Sequence, residues 1–296
     1  MRAPPLSPRF VLLPAVLAVA TSSLFIRLAS VPPVAAAFWR AAIAGTVFLL
    51  SFSIPAMRQQ WQALPIKTVL AVGAATLIIA LHNIFFIASL SYTSVAAAVV
   101  LTSTQPIFTA FFGHLLIHER VSPRAIVGLI GAMTGIAIIS LSQTGQTTWK
   151  GNLLALAAAL TVAAFSLCAR QLRQRTPIIP FMFIVQFASV IYLALFAALF
   201  AVPLSGFSVS SWKALLLLGL VPTLIGHTLL SYSIGYLKAY LVGLAIIGEP
   251  VGATVLAAIF LGEIPSGQTL IGAVVILASI LFAMSEKEAV PAIIAD

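Results

Sequence analysis

The chain has 296 residues, of which 61% are apolar and only 7% are charged. Its mean hydropathy of +1.16 leaves too few polar side chains to cover the surface of a water-soluble domain. The composition therefore excludes soluble enzymes and, despite the net charge of +9, soluble nucleic-acid-binding domains, and it predicts an integral membrane protein.

Apolar stretches of about twenty residues, long enough to cross roughly 30 Å of hydrocarbon as helices, recur along the whole chain. They are continuous rather than alternating, which favours helices over barrel strands. We therefore predict an all-α membrane protein, with helices broken only near Pro106, Pro222 and Pro250, where protein or water can satisfy the freed backbone groups. The ten predicted transmembrane helices are 10–28, 34–54, 67–90, 94–117, 123–142, 151–172, 178–202, 212–236, 239–261 and 266–285.

The basic residues predict the orientation, because positive charge stays on the cytoplasmic side. With a cytoplasmic amino terminus, the cytoplasmic side collects Arg2, Arg9, Arg58, Lys67, Arg120, Arg124, Arg170, Arg173, Arg175, Lys238 and Lys287, against Arg27, Lys150 and Lys213 outside. Both termini are then cytoplasmic. Five helices in each half, an odd number, make the second half inverted relative to the first.

The first predicted helix also has the features of a secretory signal, with a cleavage-like Ala18-Val19-Ala20. The apolar run continues to about Leu28 and has a counterpart in the second half, which favours a membrane helix. The single cysteine, Cys168, lies in a predicted helix, cannot form an intramolecular disulfide and is interpreted as a packing residue.

The second half of the sequence repeats the first at an offset of about 144 residues. The paired positions are Gln105-Pro106 with Glu249-Pro250, Glu119 with Glu263, Gly128 with Gly272, Tyr92 with Tyr236, Trp39 with Phe183 and, with a one-residue slip, Arg27 with Arg170. Duplicated hydrophobic units are typical of secondary transporters, whose substrate site lies between the repeats. We predict a first repeat over 1–145, a second over 146–285 and a cytoplasmic tail over 286–296.

Two charged residues fall deep inside predicted helices, where charge is costly and usually functional. They are Arg40 and Glu249, and their repeat counterparts, Ile184 and Gln105, are neutral. One hypothesis is an Arg40–Glu249 pair that joins the repeats; the other is that Glu249 titrates and couples proton entry to substrate exit. Pro106 and Pro250 are candidate hinges, so these four residues are the predicted coupling or gating set.

A cluster of polar and aromatic residues recurs midway along the third and eighth predicted helices. It holds His82, Asn83 and Phe86 in the first half and His227, Ser231 and Tyr232 in the second. This is the pattern of a substrate site at the interface of two repeats, although polar side chains that join helices give the same pattern. The weaker candidates are Trp39, Ser23, Thr102 and Gln105.

Other polar residues and glycines favour structural roles. His114 and His118 are four apart, but Glu119 follows them instead of lying between them, so the zincin motif is absent and no metal site is predicted. We expect Glu119 to fix the turn after the fourth helix through Arg120 or Arg124, and Glu263 to do the same on the other face. Close packing of a neighbouring helix is expected along Gly128, Gly131 and Gly135.

The sequence resembles the ten-helix EamA-type transporters of the drug/metabolite transporter superfamily, especially bacterial exporters of aromatic and other amino acids. The resemblance rests on Phe38-Trp39-Arg40, on Pro106 with Glu119-Arg120-Val121-Ser122 and Gly128, and on Glu249-Pro250 with Leu261-Gly262-Glu263 and Gly272. It implies two inverted five-helix repeats around a central cavity in the bacterial inner membrane, and export of small metabolites.

The expected substrates are neutral or aromatic amino acids, with sugars, nucleosides, drugs or a flipped lipid as alternatives. The expected partners are the substrate and membrane lipid, without nucleic acid or cofactor, in a monomer or homodimer. An intramembrane enzyme is the competing class, but the sequence contains no acidic pair, facing Ser-His arrangement, phosphate-binding loop or metal-ligand set.

Overall fold

The computed structural model describes residues 6–90, 92–93, 95–141, 148–262 and 265–285, and these residues are helical almost throughout. The predictions for Glu263, Arg2, Lys287 and the tail concern residues outside these ranges. The helices are α1 (Pro8–Ala29), α2 (Pro33–Leu49), α3 (Pro55–Gln62), α4 (Ile66–Leu90), α5 (Val95–Thr102), α6 (Gln105–Ile117), α7 (Pro123–Leu141), α8 (Trp149–Arg175), α9 (Ile178–Leu199), α10 (Val209–Leu218), α11 (Thr228–Tyr236), α12 (Ala239–Ile246), α13 (Glu249–Leu261) and α14 (Gly267–Met284). A 3-10 turn, Leu50–Ser53, follows α2, and a π-helical segment, Gly219–His227, joins α10 to α11.

These elements form ten membrane spans within the described residues. Nine helical stretches are long and apolar enough to cross a bilayer, and Pro123–Ile139 is a shorter apolar helix that supplies the tenth. Spans 1 to 10 are α1, α2, α4, α5 with α6, α7, α8, α9, α10 with α11, α12 with α13, and α14. The all-α prediction with ten transmembrane helices is confirmed.

The chain crosses from side to side at every span, so α1 begins and α14 ends on one side, the terminal face. The short helix α3 also lies at the terminal face, where the sequence predicted only a break. Four of its 8 residues are polar, namely Arg58, Gln59, Gln60 and Gln62, which is why hydropathy did not predict it. Trp61 of α3 stacks on Phe52 with ring centroids 4.5 Å apart and meets Phe183 of α9 edge-on.

The packing of the spans has an approximate two-fold symmetry. Span 3 packs along span 6, and its repeat-related pair, span 8 with span 1, is also in contact. Span 4 contacts span 6 as span 9 contacts span 1, while span 2 packs on span 7, span 4 on span 9 and span 5 on span 10. The main contacts between the halves thus reappear when the halves are exchanged, as two inverted repeats require.

Spans 4 and 9 are broken at equivalent positions. In span 4, α5 ends at Thr102 and α6 begins at Gln105, directly before Pro106. In span 9, α12 ends at Ile246 and α13 begins at Glu249, directly before Pro250. Proline lacks a backbone N–H and favours the first turn of a helix, so each Pro begins a new helical segment in the middle of its span.

Span 8 contains an irregularity that span 3, its repeat counterpart, lacks. Pro222 lies inside the π-helical segment, where the hydroxyl of Thr223 donates a hydrogen bond of 2.8 Å to the carbonyl oxygen of Leu218. The break predicted at Pro222 is therefore present, and its backbone is satisfied within protein. The π-helical segment ends at His227, at the site described below.

Span 5 packs on span 10 through glycines, as the sequence predicted. A Cβ atom at Gly128 would lie 2.5 Å from that of Ala283, and one at Gly135 would lie 2.7 Å from the carbonyl oxygen of Gly272. A Cβ at Gly131 would collide with Ser279. Only glycine therefore allows α7 and α14 to approach this closely.

Candidate substrate site between the two halves

The central feature of the site is a contact between a charged and a neutral side chain from different halves. The Nη2 atom of Arg40, on α2, lies 2.5 Å from Nε2 of His227, at the end of the π-helical segment. A guanidinium can only donate, so Nε2 accepts and the proton of the neutral ring is on Nδ1. Both side chains are half-buried, although they lie deep within the bundle.

Glu249 is the acidic member of the site. It begins α13 at the break of span 9, is half-buried, and interacts electrostatically with Arg40. Both residues lie in the described part of the chain, and no ion pair joins them there. The structure thus places the two predicted deep charges near each other without the direct pair that one hypothesis required.

His82 and Phe86 form a second part of the site on α4. The Nδ1 atom of His82 lies 2.9 Å from the carbonyl oxygen of Ala158 on α8, and its ring stacks on Phe86 at a centroid distance of 6.2 Å. A carbonyl only accepts, so Nδ1 carries the proton and Nε2 of the neutral ring remains an acceptor. His82 also interacts electrostatically with Arg40, which links α4 to the Arg40–His227 contact.

Asn83 shares the depth of His82 but has a more local partner. Its amide nitrogen donates to the carbonyl oxygen of Ile79, one turn earlier on α4, at 3.0 Å. The side chain is half-buried. A role of Asn83 in substrate binding stays a prediction.

Gln105, the neutral counterpart of Glu249, lies in a packed contact between the halves. Its amide nitrogen donates to Ser166 of α8 at 3.2 Å, and a Cβ atom at Gly243 of α12 would lie 3.1 Å from it. Gln105 is buried, and so is Pro106 beside it. This environment favours a structural role, and Ser166 is a partner that sequence reasoning missed because a serine on an apolar helix carries little signal.

Thr102 lies at the end of α5, directly before the break of span 4. Its hydroxyl is sealed from solvent and has no hydrogen-bond partner among the residues that the structure describes. Pro250, at the equivalent break of span 9, is half-buried, and its carbonyl accepts a hydrogen bond from Thr254. The hinge role of both breaks stays a prediction.

Four more of the predicted site residues make no side-chain hydrogen bond with Arg40, His227, His82 or Glu249 in the described part of the chain. Trp39 donates to the carbonyl oxygen of Leu204 at 2.7 Å and packs edge-on against Trp212, toward the face opposite the terminal face. Ser23 is exposed and bonds within its own helix.

Tyr232 bonds to Leu6 at the terminal face, and the backbone carbonyl of Ser231 accepts a hydrogen bond from Arg173. One helical turn separates Ser231 from His227, which is why the shared sequence cluster divides.

Glu119 corrects the predicted turn contact. Its Oε1 atom lies 3.0 Å from Nε of Arg170 on α8, and its Oε2 atom accepts from the backbone N–H of Ala239 at 3.4 Å. The expected partners, Arg120 and Arg124, were therefore wrong. A turn that reverses the chain brings Glu119 against the second half instead of its own neighbours.

Arg170 completes this contact at the terminal face. It is buried and donates to the carbonyl oxygens of Ile234 and Gly235, at the end of α11. Lys238 adds a bond of 2.9 Å to the carbonyl oxygen of Arg120. We call four residues at this face the terminal latch: Glu119, Arg120, Arg170 and Lys238. Their contacts join spans 4, 6, 8 and 9.

No metal centre is built into the described ranges, which contain no group of three or more His, Cys, Asp and Glu side chains arranged to hold an ion. His118, one of the two histidines considered above, ends α6 in the left-handed conformation with φ 58°. It serves as the C-cap of that helix at the terminal face.

Comparison with known proteins gives a family match over both halves. The model of the EamA-like transporter family matches residues 8–141 and 149–285. A crystal structure superposes with a TM-score of 0.79 at 22% identity, covering 94% of this chain and 96% of the other, which supports the fold.

Two curated bacterial relatives illustrate the range of similarity. The uncharacterized transporter YdfC of Bacillus subtilis is 25% identical over 190 residues, which are 64% of this chain and 62% of that protein. A Salmonella typhimurium protein named "Probable amino-acid metabolite efflux pump" is 27% identical over 195 residues, 62% of this chain and 65% of its own length. The chain thus matches somewhat less than two thirds of each relative.

Proposed function

The chain belongs to the EamA-like transporter family, and from this premise we propose that it exports neutral amino acids with aromatic or other apolar side chains. Export runs from the bacterial cytoplasm across the inner membrane, by alternating access of one site to the two sides. The family is one of transporters, and the proposal includes no cofactor and no catalytic step. The protein acts as a monomer or homodimer with both termini in the cytoplasm.

The observation that carries the proposal is the half-buried polar cluster of Arg40, His227, His82 and Glu249 deep in a bundle of apolar spans. Intramembrane ionisable groups are costly, and they are retained where they meet a substrate, an ion or one another. Elements from both halves supply them: α2 and α4 from the first, the π-helical segment and α13 from the second. A site at the interface of inverted repeats is where alternating access requires it.

Two further points support an amino acid as the substrate. Phe86 stacks beside His82, so an apolar surface adjoins the polar groups, as suits a small molecule with charged ends and an apolar side chain. One relative of 27% identity is named for amino-acid metabolite efflux. The breaks of spans 4 and 9 lie beside this region and offer the conformational freedom that alternation needs.

The test is export from cells. Cells that overproduce the protein should tolerate toxic analogues of phenylalanine and should release labelled phenylalanine faster than cells without it. Arg40→Gln should abolish the effect, whereas Arg58→Gln, which removes the same charge from an exposed position on α3, should leave it intact. Unchanged tolerance and release across a panel of neutral amino acids, with the protein folded in the membrane, would overturn the proposal and favour sugars, nucleosides or drugs. Reconstituted vesicles that move labelled lipid instead would favour a flippase.

A further inference from the structure

We propose that Arg40 and Glu249 recognise the two charged ends of one zwitterionic substrate, with the carboxylate on Arg40 and the ammonium group on Glu249. This inference rests on the proposed function and makes it more specific, because it requires both charges on the transported molecule. It assigns Arg40 and Glu249 to direct substrate contact, in place of a pair that only stabilises the fold.

The guanidinium of Arg40 is incompletely paired. It carries five N–H donors, and in the described part of the chain its hydrogen bond is to His227 alone. That partner is a neutral ring, so the positive charge of Arg40 is not cancelled by the contact. The remaining donors are not among the sealed polar atoms that lack a partner, so they keep some accessible surface. A carboxylate takes up such a donor set by two parallel hydrogen bonds.

The carboxylate of Glu249 is also incompletely paired, and its charge is opposite to that of Arg40. No hydrogen bond or ion pair to it exists among the residues that the structure describes, and its oxygens are likewise absent from the sealed unpaired atoms. It begins α13 in the middle of a span, half-buried and in electrostatic contact with Arg40. A primary ammonium group, with three donors and no acceptor, matches a carboxylate in this position.

The separation of the two charges is the step that points to a ligand. Opposite charges in a low-dielectric interior attract strongly, and a pair with only a structural role reaches its best energy in direct contact. Arg40 and Glu249 interact electrostatically, yet no ion pair joins these two groups among the residues that the structure describes. A zwitterion bound between them carries matching charges in the correct order.

The two histidines add a donor and an acceptor of the correct kind. Because Nε2 of His227 accepts from Arg40, its neutral ring carries a proton on Nδ1, which is a further donor. Because Nδ1 of His82 donates to Ala158, its Nε2 is an acceptor. The two rings thus supply one N–H donor and one acceptor in addition to the donors of Arg40 and the acceptors of Glu249.

The experiment is a cycle of charge removals from both the protein and the ligand. Binding of L-phenylalanine, 3-phenylpropionate, which lacks the ammonium group, and phenethylamine, which lacks the carboxylate, is measured by calorimetry on the purified protein. The wild type should bind phenylalanine about 10- to 100-fold more tightly than either analogue, as expected for loss of a charged hydrogen-bond partner. Arg40→Gln should remove the preference over phenethylamine, and Glu249→Gln should remove the preference over 3-phenylpropionate.

Two controls accompany the cycle. Arg40→Lys keeps the charge and should retain part of the preference over phenethylamine, and Arg58→Gln should behave as the wild type. Thermal unfolding of each variant establishes that it is folded, and if one is not, the comparison of the three ligands on the wild type still decides.

The outcomes separate this inference from the proposed function. Phenylalanine binding with analogues bound equally well, or variants that weaken all three ligands by the same factor, would overturn the inference and leave amino-acid export standing. No binding of phenylalanine or any other neutral amino acid to the folded wild type would overturn both.

Discussion

At the level of single residues, the clearest difference between the two halves is the charge at repeat-related positions. Arg40 and Glu249 are half-buried, whereas their neutral repeat counterparts, Ile184 and Gln105, are buried in packed surroundings. Charge therefore occurs where the side chain is only partly enclosed, and neutral residues occur where the same repeat position is buried by protein. This correlation supports a functional origin of the asymmetry, since desolvating a charge without a partner is costly.

The first prediction separates binding residues from packing residues. His82→Ala should weaken amino-acid binding about 5- to 100-fold, since a lost hydrogen bond that leaves a partner unsatisfied costs about 1 to 3 kcal/mol. Ser166→Ala removes the partner of Gln105 and should lower the free energy of unfolding by about 1 kcal/mol, as interhelical hydrogen bonds in membranes do. Its effect on affinity should be small. Calorimetry and thermal unfolding of both variants measure the two quantities, and the reverse pattern would contradict the assignment.

The sequence was most informative about the helices and their breaks, and it also missed features at this scale. Apolar runs predicted the spans because a bilayer imposes length and hydropathy together, and the prolines predicted the breaks of spans 4, 8 and 9. The helix α3 was not predicted because, taken as a whole, its residues are hydrophilic. The division of His227 from Tyr232 was also missed, because repeat alignment gives depth along a helix but not the contacts made there.

The second prediction concerns the contact of α7 with α14. Gly135→Ala should destabilise the protein by about 1 to 3 kcal/mol, since the added Cβ would lie 2.7 Å from the backbone carbonyl of Gly272, which cannot move aside easily. Gly73→Ala is the matched control within helix α4, because nothing lies within 4 Å of its added Cβ. That change should be neutral or stabilising by up to about 1 kcal/mol. Equal destabilisation of both variants, measured by thermal unfolding in detergent, would contradict close packing at Gly135.

The third prediction concerns the terminal latch. Glu119→Gln removes the ion pair with Arg170 and weakens the bond to Ala239, so the terminal face should open more often. A cysteine replacing the fully buried Ser233, in a Cys168→Ala background, should then react several-fold faster with a thiol reagent. Arg124→Gln is the control, because the turn contact expected from sequence is absent and the side chain is exposed. Faster reaction in the Arg124 variant but not in the Glu119 variant would restore the sequence-based pairing.

At the scale of the whole molecule, the inverted repeat could be predicted by counting alone. An odd number of spans in each half inverts the second half, and the structure adds the exchange symmetry of the packing, with span 3 on span 6 matched by span 8 on span 1. The candidate site could be predicted only in part. The deep charges Arg40 and Glu249 stood out because charge is rare in a bilayer, whereas the partners Ala158 and Ser166 contribute a carbonyl and a small hydroxyl that no pattern distinguishes.

The fourth prediction is the orientation of the whole bundle. Exposed residues lie on both sides of it: Gln174 near the end of α8 at the terminal face, and Ser208 before α10 on the other. In a Cys168→Ala background, a cysteine at Ser208 should react with an impermeant maleimide in intact cells, while one at Gln174 should react only after permeabilisation. A site near Gln146, outside the described residues, is expected to behave like Ser208.

The physical reason for this orientation is the unequal distribution of basic residues. Eleven Lys and Arg residues fall on the terminal side of the predicted topology and three on the other, and basic loops resist translocation. A reporter fused after Asp296 should accordingly be active in the cytoplasm. Reaction at Gln174 in sealed cells would reverse the bundle, and with it the direction in which the terminal latch faces. Opening of that latch would then release substrate to the outside, whereas in the predicted orientation it admits substrate from the cytoplasm, as an exporter requires.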